Sequence, residues 1–409
     1  MPRHHLGHPD RGSAQNFSAS GRLGSGRNTG CFVGASQFDY FTICLKYSPS
    51  LSPFHGVGNA HSSIAGRLSF IFNCSGPSVA IDTACSSSLV SLSVGLKYLT
   101  ERNCRSILNC GVNLILKPAV SVMFSAAGML AQDARCKTLD AAADGYVRSE
   151  GLGSMMISSQ THVAVLNLDL HVAVIGSVQI NQDARSSSLT APNGPAQQSI
   201  LLDALKRAEL ERFADGVQLH GTGTPLGDPI ETGALASALS TALSGRSHQR
   251  VHRVGLSTIK SSIGHTEAAA GICGTLQVLQ GLWNHITPAI THLAILNPHV
   301  LRTLDSGASV LPTMALRPLL APTDSKLSCG VSSFAFQGTN AHGLFGTGRY
   351  RAADTKEPVV ESFESRFCWA LTVPTVFTHS VVDASRTTSV SSEGDDGMWK
   401  LPGAEAAGR

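Results

Sequence analysis

Three separated stretches of this chain carry side chains that could do chemistry together: Cys85, His220, and the pair Lys260 and His265. Cys85 lies in residues 78–99 (SVAIDTACSSSLVSLSVGLKYL). Val79, Ala80 and Ile81 read as a buried strand, Asp82, Thr83 and Ala84 as a tight corner, and Leu89, Leu92, Leu96 and Leu99 recur at helical spacing. That spacing puts Cys85 where a helix begins. Unpaired N–H groups and the positive end of the dipole favour thiolate over thiol there. The serines that follow keep the first turn small, so another molecule could reach the sulfur. His220 ends a strand expected over Gly216–Leu219, and Lys260 and His265 follow one over Val254–Thr258. Ligands of open α/β sheets bind at the carboxyl ends of strands. Each residue alone has a plainer reading, since most free cysteines are inert core fillers. A cysteine and two imidazoles at three such corners point to nucleophilic catalysis.

The elements that must hold these corners alternate between strand and helix, which sets the class as α/β. Ordered structure is expected from the strand Gly30–Ala35, followed by a helix over Phe38–Tyr47, a loop at Gly56–Ala60 and a helix through Ile64, Leu68 and Ile71. A buried strand is expected within residues 105–116 and a helix over Ser121–Met129. Residues 140–151 read as a polar loop. Ser154–Ser158 and His171–Ile180 read as strands that pair as antiparallel neighbours through residues 160–170. Helices are expected at Gln197–Leu210, Ile230–Leu243 and Glu267–Trp283, and a strand at Lys326–Ser332. The pattern fades over residues 343–409, and residues 380–409 and 1–29 have the composition of disordered segments. The leader's Arg- and Ser-rich composition also resembles an organellar transit peptide.

The chain has 409 residues, 42% hydrophobic and only 14% charged, with 40 glycines. That suits a globular protein with many tight loops and much covered surface. A net charge of +3 without a basic run argues against an obligatory nucleic-acid partner. None of the ten cysteines forms a C-x-x-C pair, so neither a zinc site nor a redox motif is indicated. No apolar run is long enough to span a membrane.

Four stretches closely resemble the motifs of β-ketoacyl synthases: Asp82–Leu89 (DTACSSSL), His220–Glu231 (HGTGTPLGDPIE), Lys260–Gly271 (KSSIGHTEAAAG) and Gly338–His342 (GTNAH). Gly111–Asn113, Asp144–Arg148 and Leu189–Gly194 add to the likeness. Their form is most similar to the ketosynthase domain of type I polyketide synthases, over residues 30–342. The resemblance implies a thiolase-like fold: five layers, α-β-α-β-α, in two pseudo-symmetric halves. Residues 30–188 would form the nucleophile half and residues 189–345 the half with both histidines, flanked by the leader and by a linker-like tail over 346–409. It also implies a homodimer and decarboxylative Claisen condensation, for polyketide or fatty-acid synthesis.

By the same resemblance, Cys85 accepts the acyl chain. Backbone N–H groups of Cys85 and Phe336 form the oxyanion hole. His220 and His265 hydrogen-bond the malonyl thioester carbonyl, and Lys260 and Glu267 orient them. Thr222 and Thr224 touch a pantetheine arm or brace the backbone. Asn340 contacts substrate or, with His342, holds the last loop. No bound cofactor or metal is implied, because substrates arrive as thioesters of an acyl carrier protein or of CoA. Asp228 and Glu231 read as loop-bracing groups. The expected compartment is the cytoplasm, with a plastid or other organelle as the alternative.

The likeness also has gaps. The family's initial strand, helix and second strand have no counterpart before Cys85, so the first half is expected to be incomplete, with an unpaired edge and exposed apolar surface. Ala184, Ala335 and Gln337 stand where the family often has glycine, and Ser262 where it usually has asparagine. A truncated, non-catalytic subunit acting by dimerisation is therefore the rival reading. A thiolase- or chalcone-synthase-like enzyme is a further one, disfavoured by the second histidine motif and Lys260.

Overall fold

A computed structural model of the chain describes residues 28–48, 50, 52–159, 171–208, 214–243, 254–305, 310–312, 317–319, 327–349 and 367–369. The leader over 1–27 and the tail beyond 369 lie outside the described residues. Strand β1 (Thr29–Ala35) is buried on both faces and runs parallel to β2 (Ser78–Ile81) on one side and β3 (Ser106–Asn113) on the other. Between β1 and β2 come helices α1 (Asp39–Tyr47), α2 (Pro53–Asn59) and α3 (Ser62–Ile71). After β2 a 3-10 turn (Ala84–Ser86) leads into α4 (Ser87–Thr100). Helix α5 (Ala119–Ala126) and strands β4 (Gly151–Ser159) and β5 (His171–Gln182) complete this part.

The next part runs α6 (Gly194–Ala208), β6 (Gly216–Gln218), α7 (Gly227–Leu243), β7 (Val254–Ser257) and the short α8 (Lys260–Ile263). A second 3-10 turn (Glu267–Ala269) then enters α9 (Ala270–Asn284). There follow β8 (Ile286–Thr287), α10 (Pro298–Asp305), β9 (Val310–Pro312), β10 (Arg317–Pro318), β11 (Ser328–Phe334), β12 (Thr339–Arg349) and β13 (Phe367–Trp369). Among the described residues one sheet takes the order β2-β1-β3-β4-β13-β5-β12-β11-β6-β7-β9, and β8 pairs with β10 separately.

Period-two alternation shows which helix covers which face. On β1 and β3, Phe32 and Ile107 join Leu89 and Leu92 of α4, whereas Val33, Ala35 and Cys110 turn the other way onto Ala65 of α3. On β11 and β12, Val331 and Phe345 join Ile272 and Leu279 of α9. Leu344 turns outward onto Leu201 of α6 and Leu235 of α7. The layers are therefore α3, first sheet region, α4 with α9, second sheet region, and α6 with α7. This is the five-layer α/β arrangement the motifs imply.

The two central helices touch where small residues allow it. A Cβ on Gly271 would lie 2.8 Å from the Leu89 Cβ and 3.0 Å from its backbone nitrogen, so only glycine permits this approach. Beside it the Ile272 N–H donates to Ser88 Oγ (3.0 Å). Asn109 of β3 donates to the Ser88 carbonyl (3.2 Å) and accepts from Ser91 Oγ (2.8 Å), fixing α4 on the sheet.

Several expectations change. Residues 56–60 are not a loop up to Ala60, because Pro53–Asn59 is helical, with Pro53 in the first turn and His55 Nδ1 accepting the Ser52 N–H (2.9 Å). The strands β4 and β5 are not direct neighbours, because β13 lies between them and pairs antiparallel with both. Regular structure also continues past residue 343, through β12 and again in β13. Apolar side chains are exposed on α2 and α3, where Phe54 is 84% and Phe70 89% exposed, and β2 ends the sheet order among the described residues.

Candidate active site

Cys85 is set by the turn that precedes α4. Ala84 has φ +50, a left-handed conformation that costs a residue with a Cβ about 1–2 kcal/mol. Short polar side chains hold the chain there. The Ala84 N–H donates to Asp82 Oδ1 (2.9 Å), and the Thr83 N–H to Ser87 Oγ (2.9 Å). Ser87 Oγ donates back to the Ala84 carbonyl (2.6 Å) and Ser86 Oγ to that of Thr83 (3.0 Å). From β11, Ser333 Oγ donates to the Cys85 carbonyl (2.7 Å).

Cys85 therefore lies within a 3-10 turn and not at the first turn of an α-helix, which corrects the thiolate expectation. Burial pushes the thiol up to about 12, the charge of Glu267 adds to that, and Lys260 with the backbone N–H groups of Phe336 and Cys85 acts against it. The resting group is a neutral thiol. Those two N–H groups are the pair expected to form an oxyanion hole.

His265 follows α8 and is threaded between two strand-like hydrogen bonds. Its N–H donates to the Val147 carbonyl (2.8 Å), and its carbonyl accepts the Ser149 N–H (2.9 Å). Its Nε2 lies 3.1 Å from Cys85 Sγ. Its Nδ1 accepts the Glu267 N–H (3.1 Å). Burial, then the charges of Lys260 and Arg148, hold this imidazole well below the ordinary histidine range. A neutral ring that accepts at Nδ1 carries its proton on Nε2. His265 thus presents an N–H donor toward the sulfur.

His220 repeats the arrangement. Its Nδ1 accepts the Phe334 N–H (3.2 Å), and burial with Lys260 and His265 holds it well below the ordinary range. Its proton too is on Nε2. The two rings stand nearly perpendicular, with centroids 5.6 Å apart, and Tyr146 packs edge-on to His265 at 5.0 Å.

The loop after His220 is braced by carboxylates, as their reading as loop-bracing groups requires. Glu231 accepts the N–H groups of His220 (2.7 Å) and Gly221 (2.8 Å), and Asp228 those of Leu139 (2.7 Å) and Gly223 (3.1 Å). Thr224 Oγ1 accepts the Gly227 N–H (3.1 Å) and lies 3.4 Å from Thr222 Oγ1. Lys260 is buried, and its charge bears on both histidines. Asn340 is fully buried and donates to Asn181 (3.1 Å) and Asp183 (2.7 Å), while Ser332 lies 3.0 Å from His342 Nδ1. Asn340 thereby ties β12 to the end of β5, and His342 ties it to β11. Phe336 is partly exposed, with its ring against Phe124 at 6.2 Å.

Of the positions expected to carry glycine, only Ala184 has a left-handed backbone (φ +54); Ala335 and Gln337 do not. The sequence alone assigns nothing to Arg148, yet its guanidinium makes a two-pronged ion pair with the Glu267 carboxylate, through Nε to Oε1 and through Nη2 to Oε2 (3.1 Å). The available signal is its place in the Asp144–Arg148 motif. Among the described residues no group of three or more His, Cys, Asp or Glu side chains is placed to hold a metal ion, and no helix is long and apolar enough to cross a membrane.

A half-buried thiol, two neutral imidazoles with N–H donors and two backbone N–H groups converge here, a set suited to acyl transfer and to holding developing oxyanions. Residues 15–162 match the family model for the beta-ketoacyl synthase N-terminal domain, and residues 172–294 that for the C-terminal domain. The chain belongs to the β-ketoacyl synthase family, with the thiolase-like fold.

Relatives within that family include polyketide synthases, and similar solved structures include ketosynthase domains. Over 321 residues the chain is 39% identical to a phenolphthiocerol/phthiocerol polyketide synthase of Mycobacterium tuberculosis, covering 78% of this chain and 14% of that protein. Over 331 residues it is 40% identical to polyketide synthase GfsE of Streptomyces halstedii, covering 81% of this chain and 8% of the relative. Among solved structures, the oxazolomycin ketosynthase domain OzmH KS7 of Streptomyces albus superposes with a TM-score of 0.72 at 29% identity, over 82% of this chain and 57% of that one. The module 6 ketosynthase of the bacillaene synthase of Bacillus subtilis gives 0.68 at 27%, over 79% and 55%. The chain thus spans a small part of the curated relatives and little more than half of the solved ketosynthases.

Proposed function

We propose that this chain is a condensing acyltransferase that joins an acyl group to a malonyl unit, with CO2 as the leaving group, in polyketide synthesis. Cys85 Sγ attacks the carbonyl of an acyl thioester carried by an acyl carrier protein or CoA. The donor's C–S bond breaks, its thiol leaves with the proton of the Cys85 thiol, and an acyl-Cys85 thioester forms. N–H groups of Cys85 and Phe336 hold the tetrahedral oxyanion. A malonyl thioester then loses CO2, and the electron pair of the broken C–C bond becomes an enolate. Its oxygen receives hydrogen bonds from the Nε2–H groups of His220 and His265. The enolate carbon attacks the acyl-Cys85 carbonyl, the Cys85 C–S bond breaks, and the departing thiolate takes a proton from solvent to return to the neutral thiol. Residues 30–188 would supply the nucleophile and residues 189–345 both imidazoles.

The observation that carries this reading is the 3.1 Å approach of His265 Nε2 to Cys85 Sγ, with the His220 ring beside it. Mass spectrometry after incubation with an acyl thioester is expected to show one adduct, absent in Cys85→Ala. Folded protein that takes no adduct overturns the reading.

A second reading is that the chain acts by pairing with another ketosynthase. The exposed α1–α3 face, with Phe54, Phe70 and Tyr47, favours an obligate partner, and a homodimer is the partner most consistent with catalysis. A monodisperse homodimer that condenses substrates unaided excludes the non-catalytic form. The working compartment in this reading is the cytoplasm, where carrier proteins meet it.

A further inference from the structure

Glu267 is placed unusually for a charged residue. It is buried, has φ +43 without being glycine, and its N–H is the group that fixes the His265 tautomer. Left-handed backbone at such a residue persists only where its surroundings hold it. The 3-10 turn it begins contains only alanines besides Glu267, so no short polar side chain of that turn holds it. Its carboxylate is instead bound by Arg148.

Arg148 is itself fixed on several sides. It is buried, and Arg148 Nη1 donates to Ser121 Oγ of α5 (2.8 Å). Its guanidinium lies 5.6 Å from the Phe124 ring centroid, and Phe124 meets the ring of Phe336. Its backbone forms a bridge with His265. A planar fork bound to both carboxylate oxygens restricts the direction of the Glu267 side chain, and so of the backbone that bears it. The same pairing sets a positive charge directly on a carboxylate whose own charge raises the Cys85 thiol.

We infer that Arg148 is a positioning residue: by clamping Glu267 it keeps the Glu267 N–H on His265 Nδ1, holds His265 as the Nε2–H donor and shields Cys85 from the carboxylate. This rests on the proposed condensation only for its consequence in turnover. The tautomer and the thiol can be read without any condensation.

The test uses the full chain and three readouts: the 15N spectrum of the histidines, the rate of Cys85 alkylation by iodoacetamide at pH 8, and malonyl-thioester decarboxylation. Wild type is expected to show bare Nδ1 and protonated Nε2 at His265. Arg148→Met is expected to mix the two tautomers, slow alkylation about tenfold through a smaller thiolate fraction, and slow decarboxylation at least about tenfold. Arg148→Lys keeps the charge without the fork, so it should restore alkylation but not the pure tautomer.

Glu267→Gln separates the two effects and guards against misfolding of the arginine variants. It should speed alkylation, because the carboxylate is gone, and still slow decarboxylation. A merely structural arginine would not produce these opposite signs. A folded Arg148→Met or Glu267→Gln with wild-type tautomer and alkylation rate overturns the inference. A wild-type protein with the expected tautomer and thiol response but no decarboxylation leaves this inference standing and sinks the functional reading instead.

Discussion

The two central helices are entered by the same device, built from different materials. Helix α4 follows a 3-10 turn that opens on left-handed Ala84 and delivers Cys85; α9 follows a 3-10 turn that opens on left-handed Glu267 and fixes His265. The first turn is held by serine, threonine and aspartate side chains close by in sequence. The second is held by an arginine 119 residues away. Those hydrogen bonds of the first turn are all local in sequence. The buried ion pair seals the second, where a fixed N–H direction matters more than access.

If the two turns divide the work, their variants should fail in different half-reactions. The largest effect is expected from Cys85→Ala, with complete loss of the covalent acyl adduct by mass spectrometry. His265→Ala should still take the adduct but lose decarboxylation by roughly a hundredfold or more, the scale of removing one oxyanion donor, measured as CO2 release. Equal loss of both half-reactions in either variant would break the division.

The protonation states sharpen it further. Because the Cys85 thiol sits at about 12, its thiolate fraction at neutral pH is small and rises about tenfold per pH unit. Alkylation should therefore climb about a hundredfold between about pH 7 and 9 without levelling. Both imidazoles are held well below 6.5, so they stay neutral donors, and decarboxylation should persist when the medium is made mildly acidic. A plateau in alkylation near neutral pH would mean that the first turn stabilises thiolate after all.

Stability changes should be smaller. Gly271→Val would push a side chain into Leu89 and separate the helices, costing about 2–3 kcal/mol in chemical denaturation. The finest test is a pair of glycine substitutions. Ala84→Gly relieves left-handed strain while keeping the surrounding hydrogen bonds, so it should stabilise by up to about 1 kcal/mol. Glu267→Gly relieves similar strain but leaves Arg148 buried without its carboxylate, so it should destabilise by roughly 3 kcal/mol. Like signs would show that the turns are held by the same means.

The same difference explains what can be read from the sequence. Cys85, His220 and His265 are legible because each sits in a long motif in a corner that follows a strand, and the helices α4 and α9 because leucines and small residues repeat at helical spacing. The serine-held turn is legible in outline, but its 3-10 form is not, since it depends on the backbone angle of Ala84. Arg148 escapes assignment, because a buried ion pair across 119 residues leaves no periodicity. Helix α2 reads as a loop because Gly56 and Gly58 outweigh Pro53 and the Ser52–His55 cap. Strand β13 escapes notice because its three residues are too few to show alternation.

The raised thiol has a bearing on durability. Peroxides and other adventitious oxidants attack the thiolate, and damage by them proceeds step by step toward irreversible acids. A nucleophile kept protonated at rest offers such reagents little to attack. On the proposed condensation, Cys85 would rest as the less reactive thiol and would lose its proton as it meets the thioester carbonyl.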